Sequence, residues 1–221
     1  MPPVHKPLNI ARQNEIGTKI AEKIEAMSDT ELEKYHQGDF FLEISSLITG
    51  KRSPYVRFED ARAQLFLKHG NAGIGAVGAI YALALLNKAK PNSYIEIVSR
   101  KGDICTFDLG GKEVSFEIKF ATKTRESSRS FQFNFSASEL SYDTCSTQVL
   151  GFMFDQSSKL GGMRSMLTTG RDIVDMFNIS KQEAVYNLSV PCSGEGKIAN
   201  HLSGKMLSGA ISTVSSLRSI L

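Results

Sequence analysis

Residues Gly102–Thr124 read GDICTFDLGGKEVSFEIKFATKT. Two runs, Ile104–Leu109 and Val114–Thr122, flank Gly110-Gly111, a dipeptide suited to the tight turn of a β-hairpin. In a strand, residues two apart share a face. Glu117 and Lys119 therefore project together, while Phe116, Ile118 and Phe120 project the other way, into a core. An E-x-K pair alone is explained by a solvated strand face. Asp103, the acid that opens the hairpin, makes the pair informative.

Strand pairing decides which acid can reach Glu117. With a two-residue turn at Gly110-Gly111, Asp108 lies opposite Glu113, roughly 13 Å along the strand from Glu117. That is too far for the two carboxylates to share one ion. Asp103 lies level with Ile118, between Glu117 and Lys119, but strict pairing points it to the other face. A three-residue loop or a bulge turns it toward Glu117, and bulges are over-represented beside active sites. Asp103 is the preferred partner and Asp108 the alternative. Two carboxylates on neighbouring strands can hold Mg2+, with waters and a substrate phosphate completing the octahedron. Such an ion lowers the pKa of its bound water and offsets charge on a phosphorane. A lysine alongside can orient that water or help deprotonate it.

The run Asp103-(13 residues)-Glu117-Ile118-Lys119 resembles the PD-(D/E)xK phosphodiesterase superfamily, which contains many type II restriction endonucleases. The resemblance spans Tyr94 to Phe154: a strand, the hairpin, a basic polar stretch, an aromatic strand with a Ser-capped helix, and a further strand. Gly102 stands where the family often has proline. The resemblance implies a restriction-endonuclease-like α/β fold, a mixed sheet of about five strands flanked by helices. It implies Mg2+-dependent hydrolysis of phosphodiester bonds in double-stranded DNA, most simply as a type II restriction endonuclease. Asp103 and Glu117 are then the metal ligands, and Lys119 positions or activates the water. A further acid often sits on an upstream helix in the family. Glu59, ahead of Asp60, is the candidate, although acids at a helix start are also favoured by the helix dipole. Cutting both strands at a palindrome calls for two sites related by a twofold axis, hence a homodimer.

Basic residues surround the motif. Arg100 and Lys101 precede Asp103, and Lys123, Arg125 and Arg129 follow Lys119 among serines and threonines. Such a segment suits phosphate contacts. Gln132 and Asn134 come next, and side-chain amides can read base edges. The ordinary alternative is a solvated loop and an outward strand face.

Outward from this centre, the chain reads as one domain over residues 1–221, with a helical part over about 1–90 and a sheet-containing core over about 91–160. Ile10, Ile16, Ile20, Ile24 and Met27 recur at helical spacing. Ser28-Asp-Thr-Glu31 is a capping-box pattern. Phe40–Ile48, Phe58–Lys68 (ending at His69-Gly70) and the Ala-rich Ala72–Lys88 read as helices. Tyr94–Ser99, Ser130–Phe135 and Val149–Phe154 read as strands, and Ser136-Ala-Ser-Glu139 predicts a helix start. Leu160–Met163 reads as a loop, Asp172–Phe177 as helix, and a helix over about Lys197–Leu221 closes the chain.

The 221 residues carry a net charge of +3, with 41% apolar and 22% charged residues, which fits a globular domain and permits nucleic-acid binding. Three cysteines without a CxxC pair and four scattered histidines argue against a disulfide framework and a zinc site. The N-terminal stretch lacks the apolar run of a secretion signal, so a cytoplasmic location is expected. Ala72–Leu86 is too short and too glycine-interrupted to span a bilayer, so no membrane partner is expected.

One motif competes. Gly73-Ile-Gly75-Ala-Val-Gly78 matches GxGxxG, and Ser99-Arg100 ends the following strand, as in a Rossmann-like NADP-binding protein. The preceding segment reads as helix, however, and an antiparallel hairpin follows the strand. The glycines are better read as close helix packing. A third reading is a non-enzymatic DNA-binding or interaction protein, with the charges as a surface ion pair.

Overall fold

The computed structural model of the chain describes residues 8–98, 104–108, 113–123, 130–136, 148–155, 162–177, 185–192 and 202–221. Four helices come first: α1 (Ile10–Ala26), α2 (Asp29–Lys34), α3 (Phe40–Thr49) and α4 (Phe58–Ala89), with a π-helical turn at Tyr35–Asp39 between α2 and α3. Asn9 caps α1 by accepting from the Ala11 N–H, and Ser28 and Glu31 form the expected capping box on α2. The α1 repeat buries Ile16, Ile20 and Ile24 on one side. The two helices expected over 58–88 are one run that bends at Gly70, whose φ of 64° and ψ of −154° are non-helical. One helix, Phe58–Ala89, is long and apolar enough to cross a membrane, but 78% of its most apolar window is buried inside the protein. It is the central helix of the core.

The strands are β1 (Tyr94–Val98), β2 (Ile104–Asp108), β3 (Glu113–Lys123), β4 (Ser130–Ser136), β5 (Gln148–Asp155), β6 (Gly162–Thr169), β7 (Val185–Pro191) and β8 (Met206–Leu207). Among the described residues, later helices are α5 (Gly170–Phe177) and α6 (Ala210–Ile220). The main sheet is mixed, in the order β1-β2-β3-β5-β6-β8. Among the described strands, β3 and β5 are the neighbours that pair in parallel, and their connection contains β4. The class is α/β. All five expected strands form, but four of them enter the main sheet. β4 pairs instead with β7 in a separate antiparallel sheet. Strand β6 occupies what reads as loop and irregular chain, and β7 lies in a stretch with no element expected; the closing helix expected over about Lys197–Leu221 is interrupted by Ser203–Lys205, β8 and Gly209 before α6, and residues 197–201 lie outside the described residues.

Two cores sandwich the main sheet. Phe116, Ile118, Leu150, Phe152 and Phe154 face the helical layer. Ala121, Val149 and Met153 face the other way, onto Phe131, Phe133 and Phe135 of β4. The β4 alternation thus buries its aromatic face on the main sheet and leaves Gln132 and Asn134 exposed. At the sheet edge, Asn14 of α1 donates to the Ile97 carbonyl (2.9 Å) and accepts from its N–H (2.7 Å), satisfying an otherwise open strand. Helix α6 packs Ala210, Val214 and Leu217 into the helical core, so the C-terminal helix serves packing.

Gly78 explains how α4 lies so close to the sheet. A Cβ there would sit 2.6 Å from the Phe120 Cβ. At Gly73 a Cβ would sit 2.8 Å from the His69 Cβ. The GxGxxG glycines lie inside α4, and no strand-to-helix turn exists there to present free N–H groups to a pyrophosphate.

Candidate functional site

Strand β3 builds the site. Its apolar residues Phe116 and Ile118 are buried toward the helices, and Phe120 stacks on Phe41 at 5.9 Å between ring centroids. By alternation Glu117 and Lys119 occupy the opposite face. Lys119 Nζ lies 2.8 Å from Glu117 Oε1, and the two side chains are only 13% and 4% exposed. Above them, the Phe135 ring lies 5.1 Å from Lys119 Nζ, close enough for a cation–π contact. A charged pair this well buried needs mutual compensation, because each charge alone is expensive to desolvate.

The hairpin pairs in the register of a two-residue turn, Asp108 opposite Glu113 and Ile104 opposite Glu117. These five pairs run without a bulge. Asp108 is therefore remote from Glu117, as expected. The β2 pairing ends at Ile104, opposite Glu117, and Asp103 is the residue that precedes Ile104 in the chain. The register-shifting loop or bulge expected to turn Asp103 toward Glu117 is thus not found among the described pairs, and Asp103 itself lies outside the described residues. Arg100, Lys101, Arg125 and Arg129 also lie outside the described residues.

Glu59 and Asp60 sit in the exposed first turn of α4, each 4.0 Å from the Arg57 guanidinium. Their neighbour Phe58 packs on Phe41 and Phe154, at 4.4 and 5.0 Å, on the helical side of the sheet. The structure thus places Glu59 with Arg57 and does not bring it to Glu117. Among the described residues no group of three His, Cys, Asp or Glu side chains could hold a metal ion. Glu117 is the described carboxylate that meets Lys119, and its hard oxygen donors suit Mg2+ as one ligand of a site completed by water. Lys123, expected at a phosphate, pairs with Asp155 at 3.3 Å. Gln132 donates to Ser130 and Ser189 at 2.7 and 2.9 Å.

Beyond Glu117, β3 has no described strand partner on the β2 side. A groove of about 550 Å³ runs along this edge, between Arg62, Asn71 and Gly75 of α4 and Gln132 and Asn134 of β4, with Lys119 at its floor. Thus Lys119, Gln132 and Asn134, chosen from sequence, share one groove. Arg62 and Asn71 were not expected, and nothing in their spacing ties them to residue 119. Only the folding of α4 over β3 does.

No family model matches the chain, and no curated protein or solved structure does so.

Proposed function

We propose that this chain is a Mg2+-dependent endonuclease that hydrolyses phosphodiester bonds of double-stranded DNA, with a restriction-endonuclease-like fold. The observation that carries the reading is the buried Glu117–Lys119 pair, set two apart on an interior strand at the point where the β2 pairing ends. The sheet supports it: β2 and β6 run antiparallel to β1, β3 and β5, a mixed sheet with helices on its Phe116 side.

In this reading Glu117 and Asp103 would hold Mg2+, which when bound would supply charge stabilisation to the phosphate under attack. Lys119 has a compact ammonium on a flexible stem, with three donors. Glu117 holds that ammonium in one place, from which it positions the attacking water and contacts the phosphate. Phe135 covers the pair and limits bulk water, which strengthens electrostatic interactions at the site. Gln132 and Asn134 stand on the groove wall, where amides can meet base edges. The acting unit is a cytoplasmic homodimer of the type II restriction kind, cutting two strands with two sites.

Supercoiled plasmid incubated with the purified protein tests the reading. Nicked and linear forms are expected with Mg2+ and none with EDTA. Equal cutting under both conditions overturns the metal-dependent mechanism.

A further inference from the structure

We propose that the connector between α3 and α4 is a docking surface for the phosphate backbone of duplex DNA, with Lys51 and Arg52 as its contacts. This rests on the nuclease reading for the identity of the polyanion, but the connector makes its own argument. Residues 51–68 hold five basic residues against two acids, Glu59 and Asp60. That net +3 equals the net charge of the whole chain, so the remaining residues balance. A local excess of positive charge is the electrostatic footprint of a surface that meets a polyanion.

The uncompensated cations are two. Arg57 lies 4.0 Å from both Glu59 and Asp60. Lys68 donates to the Thr49 carbonyl at 2.7 Å and so answers the C-terminus of α3. Lys51 and Arg52 are exposed and pair with no carboxylate among the described residues. Asp60 lines the same recess as Lys51, yet the cation it pairs with is Arg57.

The connector also holds these cations in a fixed frame. Gly50 ends α3 with a left-handed φ of 74°, and the Lys51 N–H donates to the Ser46 carbonyl at 2.9 Å. The Tyr55 N–H donates to Ser46 Oγ at 2.9 Å, and the Tyr55 hydroxyl bonds Thr49 Oγ1 at 2.9 Å. Lys51 Nζ lies 4.2 Å from the Tyr55 ring centroid, a contact that steadies its stem without cancelling its charge. Charges held this way lose less freedom on meeting a phosphate. Arg57 caps the start of α4 and precedes Arg62, which lines the Lys119 groove, by about 7.5 Å of helix rise. A duplex that occupies the groove therefore brings further phosphates toward the connector. A bilayer is the poorer partner, because the exposed large apolar side chain of the connector is Val56 alone and interfacial anchoring needs a broad apolar face.

The test uses a fluorescein-labelled DNA duplex in EDTA, with binding followed by anisotropy between roughly 50 and 200 mM salt. Arg52→Gln is expected to lower the slope of log Kd against log salt by about 1, and Lys51→Gln with Arg52→Gln by about 2, with affinity down at least about tenfold in the pair. Arg52→Lys keeps the charge and is expected to keep the slope. Lys19→Gln removes the same net charge from α1, where Lys19 pairs with Glu15, and is expected to leave the slope unchanged. Circular dichroism shows that each variant is folded before it is scored. A wild-type slope in the double variant overturns the proposal, as does an equal effect of Lys19→Gln or failure of the wild type to bind duplex. In a parallel arm the same proteins are mixed with phosphatidylglycerol vesicles. Vesicle binding that depends on Arg52, without duplex binding, reassigns the connector to a membrane surface and overturns the DNA assignment. The nuclease reading is scored separately by Mg2+-dependent cutting. Cutting with unaltered duplex binding by the double variant sinks only the connector. Weakened binding by the double variant without cutting by the wild type sinks only the nuclease.

Discussion

Replacing Lys119 by Met removes the ammonium but keeps most of the apolar stem. It leaves the Glu117 carboxylate 4% exposed and without its 2.8 Å partner. At an effective dielectric near 20, a pair at that separation attracts by about 6 kcal/mol, part of which offsets desolvation of both groups. Breaking a buried pair from one side typically costs about 3–5 kcal/mol. Lys119→Met is therefore expected to lose stability in that range. Glu117→Gln is expected to lose somewhat less, because Lys119 lines the groove and keeps the Phe135 ring beside its charge. The double variant removes both charges and is expected to recover much of the loss, leaving a coupling energy of at least about 2 kcal/mol. Urea unfolding of the four proteins, with linear extrapolation, gives each term. If the two single losses simply add in the double variant, the pair does not hold Lys119 in place and the positioning argument fails.

Three further outcomes follow from the fold. Gly78→Ala forces a Cβ to within 2.6 Å of the Phe120 Cβ, which cannot rotate away. Overpacking of about 1–3 kcal/mol should outweigh the helix-propensity gain of up to about 1 kcal/mol, and an unchanged or raised urea midpoint contradicts the close-packing account. Burial holds the His36 ring at about 4, below its ordinary 6.5, against Tyr81 at 2.8 Å. Between those values the unfolded chain binds the extra proton and the native protein does not. Stability present above pH 6.5 should therefore fall by about 3 kcal/mol as pH drops toward 4, and His36→Gln should flatten that slope in pH-dependent unfolding. Equal slopes contradict the assignment. Glu33 accepts from the N–H groups of Ala210 and Ile211 at 3.0 and 2.8 Å, capping α6 from a distance. Glu33→Ala should lose about 1–2 kcal/mol and speed amide exchange at the start of α6, and unaltered exchange there argues against the cap.

Local signals were legible and long-range ones were not. The α1 periodicity, the Ser28 capping box and the Gly110-Gly111 register are short-range rules, and each appears in the structure. The alternation in β4 showed which side is buried but could not show that the strand joins β7, because alternation names a face and not a neighbour. Strand β6 escaped notice because it buries polar residues. Ser165 is fully buried, accepting from Thr213 at 3.1 Å, so the apolar alternation is broken there. The closing helix reads as continuous in sequence, whereas Gly204 and Gly209 lie in the stretch that interrupts it. Gly209 has a φ of 114°, outside helical geometry, and α6 starts only after it. At the site, the spacing of Glu117 and Lys119 suffices for their pairing, whereas Arg62 shares a groove with Lys119 only through the packing of α4 on β3.

The central claim is that Asp103, Glu117 and Lys119 act together on a phosphodiester bond. Single-turnover cutting of plasmid DNA in Mg2+ tests it most directly, with DNA affinity measured separately in Ca2+ for the same proteins. Asp103→Asn, Glu117→Gln and Lys119→Ala are each expected to slow cutting by at least about 100-fold while binding stays within a few fold. Cutting at the wild-type rate by the folded Glu117→Gln and Lys119→Ala variants, or no cutting by the wild type, would contradict the account.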